Sequence, residues 1–167
     1  MLYVDYSIKK TKWIRCKLED VEKYRTEEDF FITWQRYCND VRGEEGEIYG
    51  NIPFDFDHDT DINIAKKDCQ RVYQLIVDKN AARPENIRIY FSGSKGFHLE
   101  IDYTAFMDRP VFDLHLIYKE YYKSIERVIK PERGKSTMDS KIYSSRRMWR
   151  YPNTRHSSTG LYCIPLL

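Results

Sequence analysis

The stretch "NIPFDFDHDTD", residues 51–61, sets four aspartates within seven residues, directly behind a run with the signature of a buried strand. Phe54 and Phe56 alternate toward a core, which turns Asp55 and Asp57 together onto the opposite face. Two residues so spaced on a strand lie about 7 Å apart, and their carboxylates repel unless a cation stands between them. Hard divalent cations such as Mg²⁺ take oxygen ligands of this kind and keep positions for water and phosphate. A solvated strand end is the plainer reading of an Asp-x-Asp pattern, and at this point both stand. An EF-hand loop is excluded. Asp55, Asp57 and Asp59 have its first spacings, but Thr60 occupies the glycine position and Lys66 the closing glutamate position.

Outward from this strand, taken as 48–57, the apolar periodicity predicts a helix over about 61–79, with Ala65, Cys69, Val72, Tyr73 and Ile76 on one face. The turn "AARPEN" ends it, since Pro84 disfavours helix at the residue before. Strands follow at 86–91 and 97–102, joined by the glycine turn "SGSKG". A helix over about 110–129, begun at Pro110, buries Leu114, Ile117, Tyr121, Ile125 and Val128. Beyond the loop "KPERGKST" come a strand near 138–143, opened by Asp139, an arginine-rich segment, and a strand at about 160–166. On the N-terminal side, residues 2–8 and 12–18 alternate as the arms of a hairpin. A helix is expected from Thr26 to about Arg42, capped by Thr26, with Phe30, Trp34, Tyr37 and Val41 on one face and "RGEEGE" ending it. Strand 48–57, helix 61–79 and strand 86–91 suggest a βαβ unit in an α/β or α+β domain with strands at its centre.

The whole chain has 167 residues, 41% hydrophobic and 15% aromatic, which fits one globular domain and excludes disorder. A net charge of +2 is too small to imply nucleic acid by itself, so any basic surface must come from clustering. Cys16, Cys38, Cys69 and Cys163 form no CxxC pair, so neither a structural zinc nor a disulfide framework is expected. Nothing resembles a signal peptide or a membrane span, and the default expectation is a cytoplasmic protein with no membrane partner.

Two further clusters carry chemistry. In "FSGSKGFHLEI", residues 91–101, two glycines bracket Ser94 and Lys95, so backbone amides can approach a ligand while Lys95 adds charge. His98 opens the returning strand. Such a turn suits polyphosphate, although it is no Walker A loop; an ordinary glycine hairpin is the alternative. In residues 138–165, Arg146, Arg147, Arg150, Arg155 and His156 gather within eleven residues around Trp149 and Tyr151. Arginine forks match phosphate, and interleaved aromatics can stack on bases; a solvated basic face is the alternative.

Together, and in this order, the three elements resemble the archaeo-eukaryotic primase superfamily, which includes primase small subunits and the primase-polymerases of plasmids and phages. The chain carries its hhDhD strand as "PFDFD", its SGxxGxH hairpin as "SGSKGFH", and its final arginine–histidine element as "RMWRYPNTRHSSTG" after Asp139. The resemblance covers roughly residues 48–167; the first forty residues match nothing named. It implies that Asp55, Asp57 and Asp139 are catalytic and hold two divalent ions, Mg²⁺ or Mn²⁺. It further implies that Ser92, Ser94, Lys95, His98, Arg147, Arg150 and His156 bind the incoming nucleotide. Arg146 and Arg155 are left as candidates for the DNA backbone. The implied fold is an α+β primase-polymerase core over residues 1–167, with a small N-terminal α/β lobe packed on an RRM-like lobe and the active site in the cleft. The implied activity is template-dependent nucleotidyl transfer, as a DNA primase or DNA-directed polymerase, with single-stranded DNA and NTP or dNTP as partners and a helicase or accessory subunit as helper.

Two departures stand out: cellular primase small subunits carry a zinc-bound insertion that these cysteines cannot make, and relatives continue past "TGLYCIPLL". The chain is therefore expected to be a minimal core or part of a larger replication protein. The alternative is a nucleotide- or nucleic-acid-binding domain of a replication initiator, which the three aspartates disfavour. A DxD glycosyltransferase would explain the acidic strand but neither the hairpin nor the arginines.

Overall fold

The computed structural model describes residues 1–41, 46–79, 81–129 and 136–167. The expected helix end at 42–45 and most of the loop expected at 130–137 lie outside them. Two sheets organise the chain. The first has six strands: β5 (Ile48–Gly50), β4 (Gln35–Tyr37), β1 (Tyr3–Ile8), β3 (Phe30–Thr33) and β9 (Met148–Arg150) in that order, with β2 (Ile14–Lys17) also paired to β1. One short helix, α1 (Val21–Tyr24), follows β2. The second sheet has the order β10 (Ile164–Pro165), β7 (Ile87–Phe91), β8 (Gly96–Ile101) and β6 (Ile52–Asp57). Helices α2 (Ile62–Asp78) and α3 (Leu114–Ile129) complete the chain; α2 packs on β6 and β8, and α3 on α2 and β5.

The expected βαβ unit exists in split form. β6 and β7 both run antiparallel to β8, which lies between them, and α2 makes the crossover. Phe54, Phe56, Leu99 and Ile101 are buried with Ala65, Cys69, Val72 and Ile76 of α2. The same alternation sends Asp55, Asp57, His98 and Glu100 to the other face.

Four readings need correction. The run predicted as a helix over 26–42 is instead β3 and β4. Phe30–Thr33 is buried at every position, and aromatic and β-branched residues favour a strand there. Asp29 at φ 48° also breaks helical continuity. The strand 48–57 divides at Asn51, where the chain leaves one sheet for the other; Asn51 donates to Glu100 at 2.8 Å and accepts from the Tyr103 N–H at 3.1 Å. The strand expected at 138–143 shrinks to one bridge, Met138 with Phe56, and then a 3₁₀ turn over Ser140–Ile142. There the Asp139 carboxylate accepts the Lys141 N–H at 2.8 Å, a local bond that competes with strand continuation. Finally, α3 starts at Leu114 and buries Leu114, Tyr118, Tyr122 and Ile125, leaving Ile117 and Val128 exposed.

The hairpin between β1 and β2 turns through Lys9 and Lys10, both left-handed at φ 52° and 57°. The Thr11 N–H closes the turn on the Ile8 carbonyl at 3.2 Å. Left-handed backbone costs about 1–2 kcal/mol for each residue with a Cβ, and such turns favour Asn-Gly.

Candidate active site

The acidic face of β6 and the turn after β7 meet the first sheet at a cleft of about 210 Å³. Asp55, Asp57, Ser92, Ser94, Lys95, His98, Arg147, Arg150 and His156 all line it. Asp139 joins them through the backbone: its N–H donates to the Asp55 carbonyl at 2.9 Å, while the Asp57 N–H donates to Thr137 at 2.9 Å. This bridged segment on the outer side of β6 thus brings the third aspartate beside the first two.

The carboxylates are electrostatically crowded. Burial, then the charges of Asp57 and Asp139, push the Asp55 carboxyl up to about 8. Asp57 is also raised, chiefly by burial, although Lys95 opposes it. Asp55 Oδ1 is buried without a hydrogen-bond partner. Two cations lean toward the cluster: Lys95 Nζ is 3.8 Å from Asp57 and 2.6 Å from Asp59, and Arg147 Nη2 is 3.8 Å from Asp139. Among the described residues no three His, Cys, Asp or Glu side chains stand close enough to hold a metal ion as they are placed. The donor set nevertheless suits a hard divalent cation: carboxylate oxygens, one of them buried and unpartnered, in a cluster that needs positive charge.

The hairpin fits tightly because of its glycines. Gly93 has φ +82°, and a Cβ on Gly96 would strike the Phe56 carbonyl and the Asp57 carboxylate. Only glycine lets the turn lie this close to the aspartates. Among the described residues, the N–H groups of Gly93, Ser94 and Lys95 have no acceptor, while Ser92 closes the turn by hydrogen bonds with Gly96. His98 pairs across the sheet with Asp55, its Nε2 3.7 Å from Asp55 Oδ1. Burial, then the charge of Arg150, push His98 down to about 3, so the ring is neutral at physiological pH. It stacks on Trp149 at 4.2 Å, and the Trp149 indole N–H donates to Glu100. Trp149 is therefore a wall of the site and not an exposed stacking platform.

The arginine element divides. Arg150 is 7% exposed, held 3.0 Å from Asp29, and lies over the Phe31 ring at 4.6 Å. His156 is lowered by burial and then by Arg150, and its Nδ1 accepts the Ser158 N–H at 3.2 Å. Arg146 lies outside the cleft, 3.0 Å from the fully buried Asp5, which Arg15 also engages at 2.5 Å. Arg155 is 3.4 Å from Glu28. Lys10, Phe31 and Met148 also line the cleft; the sequence reading missed them. Phe31 was hidden by the helix expectation, and Lys10 by the lack of any motif in the N-terminal hairpin.

The four cysteines are free thiols, and among the described residues no helix is long and apolar enough to cross a membrane. No protein-family model matches the sequence, and no curated protein does. Among solved structures, the chain is similar to the polymerase domain from Mycobacterium tuberculosis ligase D in complex with DNA, at 18% identity and a TM-score of 0.55. The match covers 83% of this chain and 51% of that one, so the chain spans about half the length of the structure it matches. The chain thus shares an α+β fold of the kind seen in that polymerase domain.

Proposed function

We propose that the chain is a template-dependent nucleotidyltransferase, a primase or primase-polymerase catalytic domain spanning residues 1–167. One observation carries the reading: Asp55, Asp57 and the Ser92–Lys95 turn share a cleft, with Asp139 bonded to Asp55 at its edge. In this reading the first sheet is the N-terminal lobe, the second sheet with α2 and α3 is the RRM-like lobe, and the active site is the cleft between them.

Asp55, Asp57 and Asp139 would hold two divalent ions, Mg²⁺ or Mn²⁺. Bound there, the ions supply Lewis acidity for the attacking 3′-hydroxyl and charge for the pyrophosphate leaving group. The unpaired amides of the turn, with Ser92, Ser94 and Lys95, would bind the triphosphate. Arg147 would leave Asp139 for phosphate, and neutral His98 would donate one ring N–H without adding charge. Arg150 and His156 would border the nucleotide from the first sheet, Arg150 fixed by Asp29. DNA as a partner is supported by the shared fold, since the similar polymerase domain was in complex with DNA; the template would be single-stranded.

A second reading is a domain that binds nucleotide without polymerising it, favoured by the side-chain cations that already lean on the aspartates. Incubation with single-stranded DNA, labelled nucleotides and Mn²⁺ separates the two. Oligomers whose composition follows the template support the first; binding without product supports the second.

A further inference from the structure

The cations of the cleft are not equally free. Lys95 is paired with Asp59, Arg147 is beside Asp139, and Arg150 is held by Asp29. The two arginines expected to reach DNA are engaged as well, Arg146 by Asp5 and Arg155 by Glu28. The Lys9–Lys12 turn differs. Lys9, Lys10 and Lys12 are exposed, and among the described residues none has a carboxylate within ion-pair distance. Lys10 lines the cleft and lies 5.3 Å from the Phe31 ring centroid, on the residue that also carries Arg150. The Lys9 N–H donates to the Asp29 carbonyl at 2.9 Å, which fixes the turn to the strand beside the cleft. The Asp29 carboxylate is itself taken by Arg150 and the Ser157 N–H.

The backbone of this turn adds an independent observation. Two consecutive left-handed residues favour Asn-Gly, yet the chain holds two lysines in that conformation. Residues kept in a costly backbone region point to a role for their side chains.

We propose that the Lys9–Lys12 turn is the contact surface for the phosphate backbone of a nucleic-acid strand passing the cleft. The assignment rests on the nucleotidyltransferase reading and identifies where its polymeric partner lies. A row of cations that begins inside the cleft at Lys10 and continues outside it at Lys9 and Lys12 fits an extended polyanion. A single triphosphate would be met beside the aspartates, where Lys95 and Arg147 flank them.

The experiment is fluorescence anisotropy of a labelled single-stranded oligonucleotide with the intact chain at several salt concentrations. The double variant Lys9→Asn/Lys10→Gly installs the residues that the turn geometry prefers. Its melting temperature is expected to rise while its DNA affinity falls. The slope of log affinity against log salt should flatten by about 0.7 per lost contact. Lys12→Gln, at an exposed position, should flatten the slope likewise, whereas Lys9→Arg/Lys10→Arg should keep it. A merely structural turn would show the stability gain without the change in slope. Unchanged affinity and slope in both charge-removing variants, or no oligonucleotide binding by the wild type, overturns the assignment. Triphosphate binding, compared between wild type and Lys95→Ala, tests the nucleotide reading separately, so either can fail without the other.

Discussion

The Asp139 N–H donates to the Asp55 carbonyl at 2.9 Å, and this one bond makes neighbours of two aspartates that the sequence keeps far apart. It comes from the remnant of a fifth strand beside β6. Because the contact is between backbones, side-chain substitutions at either residue leave it in place. Asp55→Asn and Asp139→Asn can therefore test charge without disturbing the frame. Removing one carboxylate relieves repulsion in the cluster, so each variant should melt at or above the wild-type temperature without metal. Mn²⁺ should raise the melting temperature of the wild type and do so far less in either variant. Equal Mn²⁺ shifts in all three proteins would place the cation elsewhere.

Lys95 sits between two tasks, pairing with Asp59 at rest and, in this account, with phosphate when nucleotide is bound. Lys95→Ala should weaken triphosphate binding by about 1.5–3 kcal/mol, the range for a charge-assisted hydrogen bond. Binding of the nucleoside without phosphates should hardly change. Isothermal titration with both ligands decides; equal losses would mean that the turn contacts base or sugar.

Gly96 has a steric reason to be glycine. Gly96→Ala drives a Cβ into the Phe56 carbonyl, and overpacking of this kind costs about 1–3 kcal/mol. Strand β8 must shift away from β6 in response, which moves the turn from the aspartates. Denaturant unfolding should show the loss of stability, and triphosphate affinity should fall with it. A variant of wild-type stability and affinity would contradict the close packing.

The Asp29–Arg150 pair gives a pH dependence with a definite sign. Burial works against the Asp29 charge, but the bonds from Ser157 and Arg150 outweigh it and hold the carboxyl below its usual range. A depressed folded value contributes stability above the unfolded value, about 3.9, and loses it as pH falls through the folded one. Asn suits the left-handed backbone of Asp29, so Asp29→Asn isolates the charge. Near neutral pH it should destabilise by about 3 kcal/mol, because Arg150 is left buried without its partner. The difference from wild type should shrink on acidification below about pH 4. Chemical denaturation at a series of pH values measures it, and a gap that widens with acid would reverse the assignment.

The site was more legible in the sequence than the fold around it. Period-two alternation put Asp55 and Asp57 on one face, and glycine spacing located the turn, because both are local properties of a few residues. The N-terminal half was harder. Phe30, Trp34 and Tyr37 have helical spacing by coincidence; Phe30 and Tyr37 are held in strands by pairing with β1, more than twenty residues away in sequence, and Trp34 is the bend between those strands. For the same reason Arg146 read as an exposed cation. Its partner Asp5 is on β1, and only the folded sheet joins them.

The central claim is that the aspartate cleft joins nucleotides under the direction of a template. The most direct measurement is incorporation of each labelled nucleotide, supplied singly with Mn²⁺, on homopolymeric single-stranded DNA. The account predicts product only from the nucleotide complementary to the template, and none from Asp57→Ala. Product that ignores the template, or incorporation by Asp57→Ala equal to that of the wild type, would contradict it.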